Sequence, residues 1–229
     1  MPKLTFHGHA CFSLEANDGT TLWIDPFLSG NPLADIGPEA VQKADYVLFS
    51  HGHSDHLGDG FDIAKRTGAT VISTFEIVSF ATEVKGVAKA HPMHIGGGFN
   101  FPFGRVKMTP ALHGGAVDGD ESGRFTTVPG GFLITLNGST VYHAGDTALI
   151  TDMELLKGQV DVACLPIGDN FTMGPEDAVR AVGMIEPTTV IPMHYNTFDL
   201  IRQDPTAFAD AVGNRAKVVI LEAGQSHQF

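Results

Sequence analysis

The segment His51-Gly52-His53-Ser54-Asp55-His56 sets three imidazoles and a carboxylate side by side. Neutral imidazole nitrogen and carboxylate oxygen are ligands that suit zinc, iron and related divalent metals. On extended backbone, residues two apart point the same way. The spacing therefore predicts that His51, His53 and Asp55 share one side while His56 faces another, which suits two adjacent ions better than one. A solvated histidine-rich loop is the plainer alternative. The cluster, however, is internal, follows an apolar run and carries an acid, and these features favour metal.

The apolar run 44–50 reads as a buried strand, so the motif sits on the loop that leaves its end. Further candidate ligands repeat that placement. His113 follows the strand-like stretch 106–112, Asp146 follows 141–145, His194 follows 190–193, and Asp25 follows 22–24 just before Pro26. Loops at strand ends carry function because the scaffold holds them while their residues converge.

The remaining polar residues divide less cleanly. His9 stands between substrate contact and packing. His7, His143 and His227 read as structural, as do His91 and His94, placed in a loop around Pro92. Tyr195 and Asn196 directly follow a candidate ligand and are candidates to line a pocket, although Asn196 can equally bond its own turn. Residues 168–172 lead into a helix N-terminus where an anion could dock, but Asp169, Glu176 and Asp177 argue for a simple turn and cap. Residues 114–128, rich in glycine and short acids, predict a mobile lid over the metal site. Their one base, Arg124, could meet an anionic substrate group or stay solvated.

Strand-like segments recur at 3–7, 11–16, 21–25, 46–50, 70–73, 105–111, 131–136, 140–143, 161–166, 189–192 and 217–221. Asn17-Asp18-Gly19 and Asn137-Gly138 read as hairpin turns. Helices are expected over 59–66, ending at Gly68, and over 75–84, ending at Gly86. Two more are expected over 175–185, opened by Pro175 and two acids, and from Asp204-Pro205 to about Val212. Strands followed by helices, twice over, predict two sheets face to face with helices outside. No composition shift divides residues 1–229, which read as one α/β domain.

Composition narrows the partners. The chain of 229 residues is 43% hydrophobic and 17% charged, as folded proteins are. A formal charge of −12 with only 14 lysines and arginines argues against a nucleic-acid backbone as substrate. Cys11 and Cys164 lie far apart in apolar stretches and read as buried thiols in the cytoplasm. No stretch has the make-up of a signal peptide or a membrane span. The expected partner is a small-molecule substrate, with a homo-oligomer left open.

Asp25, the 51–56 cluster, His113, Asp146 and His194, in this order, resemble the five motifs of the metallo-β-lactamase-fold hydrolases. Gly8-His9-Ala10-Cys11-Phe12, Ile24-Asp25-Pro26-Phe27, Gly145-Asp146-Thr147, 172–178 and Met193-His194-Tyr195-Asn196 look like the small branch related to L-ascorbate-6-phosphate lactonase. The resemblance implies a four-layer αββα sandwich with two mixed sheets and the metals at one edge. It implies two divalent ions, zinc foremost, with manganese, iron or nickel as alternatives. His51, His53 and His113 would hold one ion, and Asp55, His56 and His194 the other. Asp146 would bridge them, and Asp25 would buttress the histidine loop.

Two metals can share a hydroxide that attacks a carbonyl carbon or a phosphorus atom, with Asp55 orienting it or taking its proton. The expected function is hydrolysis of a small ester, lactone or phosphodiester. A non-catalytic metal-binding or regulatory protein is the rival from another class. A di-iron redox enzyme is disfavoured, since neither an added acidic ligand nor a flavin partner is evident.

Overall fold

The computed structural model describes residues 1–229. Its strands are β1 (Lys3–Phe6), β2 (Phe12–Glu15), β3 (Thr21–Ile24), β4 (Tyr46–Leu48), β5 (Thr70–Thr74), β6 (Ala90–Met93) and β7 (Gly98–Phe101), then β8 (Gly104–Pro110), β9 (Gly130–Leu136), β10 (Ser139–His143), β11 (Val162–Pro166), β12 (Thr189–Met193), β13 (Lys217–Val218) and β14 (Ser226–Gln228). The helices are α1 (Ser54–Leu57), α2 (Gly60–Thr67), α3 (Phe75–Glu83), α4 (Pro175–Ile185) and α5 (Pro205–Val212).

Two seven-stranded sheets form, ordered β14-β1-β2-β3-β4-β5-β6 and β13-β12-β11-β10-β9-β8-β7. Each sheet is antiparallel at one end and parallel at the other, the change falling at the parallel β3–β4 pair in the first and at the parallel β10–β11 pair in the second. The two turns predicted as hairpins do join antiparallel neighbours, β2–β3 and β9–β10. At the second, Asn137 and Gly138 both take positive φ, as a tight two-residue turn requires.

Side-chain alternation explains the continuous apolar runs. Leu22, Ile24, Leu48 and Ile72 point into the core between the sheets, while Trp23, Val47, Phe49 and Val71 point to a second core under α2 and α3. A strand covered on both faces must be apolar at every position. On the other sheet, Ala178, Ala181, Val182 and Ile185 of α4 and Phe208 and Val212 of α5 join the main core. The layers are therefore helix, sheet, sheet, helix. No helix of the chain is long and apolar enough to cross a membrane.

The structure departs from the sequence reading at four places. Strands β6, β7 and β14 were not expected; β6 contains Pro92, which an edge strand tolerates, and β7 is an exposed edge. His91 consequently lies in a strand rather than a loop. The segment expected as a strand over 217–221 is assigned as strand only at Lys217–Val218. The metal-ligand motif is not extended throughout, because His53 is the N-cap of the single helical turn α1.

The fourth departure concerns residues 114–128. They do not lie loose over the site. Val117 and Phe125 are buried in the second core, and each such burial contributes roughly 1.5–3 kcal/mol. Ala116 and Thr126 bridge across the loop, and Asp120 accepts from the amides of Ser122 and Phe125. Asp118 ties the loop to the motif: its amide donates to Gly52 O at 2.8 Å and its carboxylate accepts from Ser54 N at 2.8 Å. Two apolar anchors and a set of local hydrogen bonds outweigh the glycine content.

The close approach of this loop also explains Gly52. A Cβ there would stand 2.3 Å from Ala116 O and 2.8 Å from Val117 Cα, both backbone atoms that cannot step aside. Gly52→Ala should therefore cost about 1–3 kcal/mol of stability and loosen the histidine loop. Thermal denaturation and metal content of the variant measure the two effects.

Candidate metal centre

The parallel strands end at one edge of the sandwich, and the sequence-predicted ligands leave from those ends. Asp25 follows β3, the histidine motif follows β4, Asp146 follows β10 and His194 follows β12. His113 comes from the connection after β8. The structure gathers these side chains into three overlapping groups whose ligand atoms lie within 4.8 Å of one another. One holds His51, His53 and His113; a second holds His51, His56 and Asp146; a third holds His9, Asp55, His56 and His194. The helical turn α1 divides the motif: His53 stays with His51, Asp55 joins the third group, and His56 belongs to both the second and the third.

Distances inside the groups are those of ligands around ions. His53 Nδ1 stands 3.1 Å from His51 Nε2 and 3.2 Å from His113 Nε2. A tetrahedron with metal–nitrogen bonds of ~2.0–2.1 Å has edges of about 3.3 Å. Asp146 stands between the groups. Its Oδ2 is 3.0 Å from His194 Nε2 and 3.5 Å from His113 Nε2, and its Oδ1 is 3.3 Å from His56 Nε2. Despite that closeness, His56 Nε2, Asp146 Oδ1 and both ring nitrogens of His194 are buried without an aligned hydrogen-bond partner. Buried polar atoms normally find partners. The lone pairs of His56 Nε2, Asp146 Oδ1 and His194 Nε2, which lie close together without bonding one another, fit divalent cations.

Electrostatics agrees with that fit. Burial lowers the pKa of His51, with further lowering from His56, and burial likewise lowers His113, so both imidazoles stay neutral and ready to ligate. At His56 burial works against the charged form, but Asp146 and Asp25 outweigh it and raise the pKa. Carboxylates that favour a proton there favour a divalent ion in its place. Asp55 is also opposed by burial, yet the His9 hydrogen bond and neighbouring imidazoles hold its carboxyl below the usual range.

A buried scaffold aims the ligands. Asp25, wholly buried, accepts from Ser50 N at 2.8 Å, Ser50 Oγ at 2.6 Å and His56 Nδ1 at 2.8 Å. Ser50 Oγ, already donating to Asp25, accepts from His51 Nδ1 at 3.0 Å. Both imidazoles are thereby fixed with Nε2 toward the candidate metal site. Ser50 was not singled out from sequence, since a serine at a strand end carries no signal of its own.

His9 is fully buried. Its Nε2 donates to Asp55 Oδ2 at 3.1 Å, its Nδ1 accepts from Thr197 Oγ1 at 2.8 Å, and its carbonyl accepts from His194 N at 2.8 Å. The same residue thus holds one candidate ligand by its side chain and another by its backbone. His143, equally buried, donates to Ala10 O at 2.9 Å and accepts from Gly145 N, linking the His9 and Asp146 turns.

Three other candidates lie elsewhere. Tyr195 and Asn196 line a separate apolar cavity with Phe6, Leu33 and Leu221, and Asn196 Oδ1 accepts from Gln203 N within its own turn. Arg124 is paired with Glu83 at 2.9 Å and lies over the Phe125 ring. The 168–172 segment is a turn, with Thr172 N and Phe171 N donating to Asp169 O and Asp169 set beside Gly174 at the start of α4.

The model of the β-lactamase superfamily domain matches residues 20–195. The chain belongs to the β-lactamase superfamily. A UPF0173 metal-dependent hydrolase of Heliobacterium modesticaldum is 54% identical over 222 residues, covering 93% of this chain and 90% of that one. One of Bacillus cereus is 50% identical over 228 residues, covering 98% of each. Among solved structures, Igni18, a metallo hydrolase of the archaeon Ignicoccus hospitalis, is 37% identical with a TM-score of 0.89, covering 100% of this chain and 99% of that one. The chain is accordingly a metal-dependent hydrolase, and its candidate metal site is the one described above.

The buried His9 gives a pH signature. Burial lowers its pKa from 6.5 to about 4. In the unfolded chain it takes up a proton below 6.5; in the folded chain it does so only near 4. Between these values the unfolded state binds more protons, so stability rises with pH across the window and falls as acid is added. Metal-free protein should lose thermal stability from pH 6.5 toward 4, and His9→Gln should flatten part of that slope. Parallel melting curves of the two metal-free proteins measure the difference.

Proposed function

We propose that the protein is a binuclear hydrolase of a small ester, lactone or phosphodiester. His51, His53 and His113 hold one divalent ion, Asp55, His56 and His194 hold the second, and Asp146 is shared. The observation that carries this reading is Asp146, whose one oxygen lies within 3.5 Å of a histidine from each set. Zinc suits the mixed nitrogen and oxygen donors best, with manganese, iron and nickel also accepted by such sets. Cys11 and Cys164, buried and unpaired, fit a cytoplasmic setting.

Bound there, the ions supply an acidified water and positive charge for the oxygen that gains electrons. The chain supplies the rest. Asp55 is the candidate ligand that also faces the adjoining cleft, its side chain 27% exposed. His9 holds one of its oxygens, which fixes the carboxylate plane and leaves the other to accept the proton of the attacking water. Asp25 and Ser50 keep the imidazole orientations constant through the reaction.

Metal-free protein should take up two equivalents of zinc per chain, measured by elemental analysis after gel filtration. Saturation at one equivalent would overturn the binuclear reading. Asp55→Asn should keep the fold and lower kcat on a generic lactone or phosphodiester by about 100-fold or more. Turnover as fast as the parent's removes Asp55 from the mechanism, and two bound metals with no turnover on any substrate favour a binding role instead.

A further inference from the structure

Beside Asp55 opens a cleft of about 470 Å³ whose lining includes Phe27, Ser54, Asp59 and Phe198. Its two aromatic rings flank His9, with centroids 5.7 and 5.6 Å from the imidazole, so they stand over the residue that holds Asp55. Phe198 is 40% exposed, a large apolar ring left in water at the mouth of a metal site. None of the 14 lysines and arginines lines the cleft. The nearest cation along the chain from Phe198, Arg202, is paired with Asp199 at 2.7 Å, and Arg124 is held by Glu83. The charged groups in the wall are Asp55 and Asp59, and Asp118 stands behind Ser54.

A substrate part seated here meets two apolar rings and carboxylates, with no side-chain cation. A negative charge in the part seated away from the metal-binding edge would face Asp59 and lose its water with no lysine or arginine to pair it. A flat, uncharged group would bury apolar area on Phe27 and Phe198 while its reacting carbon stays beside Asp55.

We propose that this cleft selects an aryl or arylalkyl ester or lactone that carries no negative charge on the part bound, and rejects the phosphorylated and carboxylated relatives of such a substrate. The proposal rests on the hydrolase reading above and narrows its substrate class. In the reaction the acyl carbon–oxygen bond breaks and a bond to the oxygen of water forms. One proton of the water goes to the departing alkoxide and the other is released as the carboxylate product ionises.

The test uses zinc-loaded full-length protein and two matched esters of phenylacetic acid: unsubstituted and para-carboxylate. The neutral ester should exceed the anionic one at least about tenfold in kcat/KM, chiefly through KM. Phe198→Ala should lose about tenfold on the neutral ester through KM, with metal content and melting temperature as in the parent. Preference for the anionic ester or for a generic phosphodiester overturns the assignment while hydrolysis itself stands.

A second readout needs no turnover. Binding of the non-hydrolysable ketone 4-phenyl-2-butanone to metal-free protein, followed by saturation-transfer NMR, should weaken about tenfold in Phe198→Ala. If no ester is hydrolysed, the proposed function fails, and this titration then decides the cleft alone: equal binding by parent and variant overturns it.

Discussion

Asp25 is a carboxylate with no access to solvent, placed where β3 leaves an apolar sandwich. It is tolerable there because every hydrogen bond it accepts comes from a residue of the metal-binding edge: Ser50 twice and His56 once. An unpaired buried carboxylate would be strongly destabilising, so the fold and the orientation of His51 and His56 cannot be separated. Removing the ligands leaves Asp25 uncompensated; removing Asp25 leaves two imidazoles free to rotate. The centre is therefore part of the core of the protein as well as its reactive edge.

The backbone bears a related cost. His9, Asp25 and His194 all hold positive φ, between 46° and 59°, at the turns that carry them into the site. The left-handed conformation costs roughly 1–2 kcal/mol for a residue with a Cβ. Here it is offset by direct ties, with His194 N bonded to His9 O and Asp25 N to Leu48 O. These turns aim side chains from separate strands, and from both sheets, toward common points. Strain gathered at a metal site in this way is one means of preorganising ligands before metal arrives.

The neighbourhood of the centre is just as constrained. The 114–128 loop is pinned by Val117, Phe125 and the Asp118 contacts with the histidine motif, so it acts as a wall beside the ligands and not as a cover over them. His143, three residues before Asp146, joins the β1–β2 turn to the β10 end through its two ring nitrogens. On the cleft side, Phe27 and Phe198 line the approach to the candidate metal site, and no lysine or arginine stands in the wall.

Much of this is written locally in the chain. Apolar runs before polar strand ends mark the buried parallel strands, glycine marks the hairpins and helix stops, and the histidine cluster with His113, Asp146 and His194 announces a metal edge. These signals are short-range or compositional, and they survive in one dimension. Edge strands β6, β7 and β14 escaped because an edge may carry proline, glycine and polar residues without cost to the core. The division of the histidine motif escaped because it depends on one helical turn begun at Ser54, whose amide is bonded to Asp118, 64 residues away. His9 and Ser50 acquire their contacts only from what lies across the sandwich, and the same holds for the cavity that Tyr195 and Asn196 line and for the pairing of Arg124 with Glu83. Residue type states what chemistry is available; which groups are buried together, and in which direction they point, is set by contacts between distant segments that no local pattern encodes.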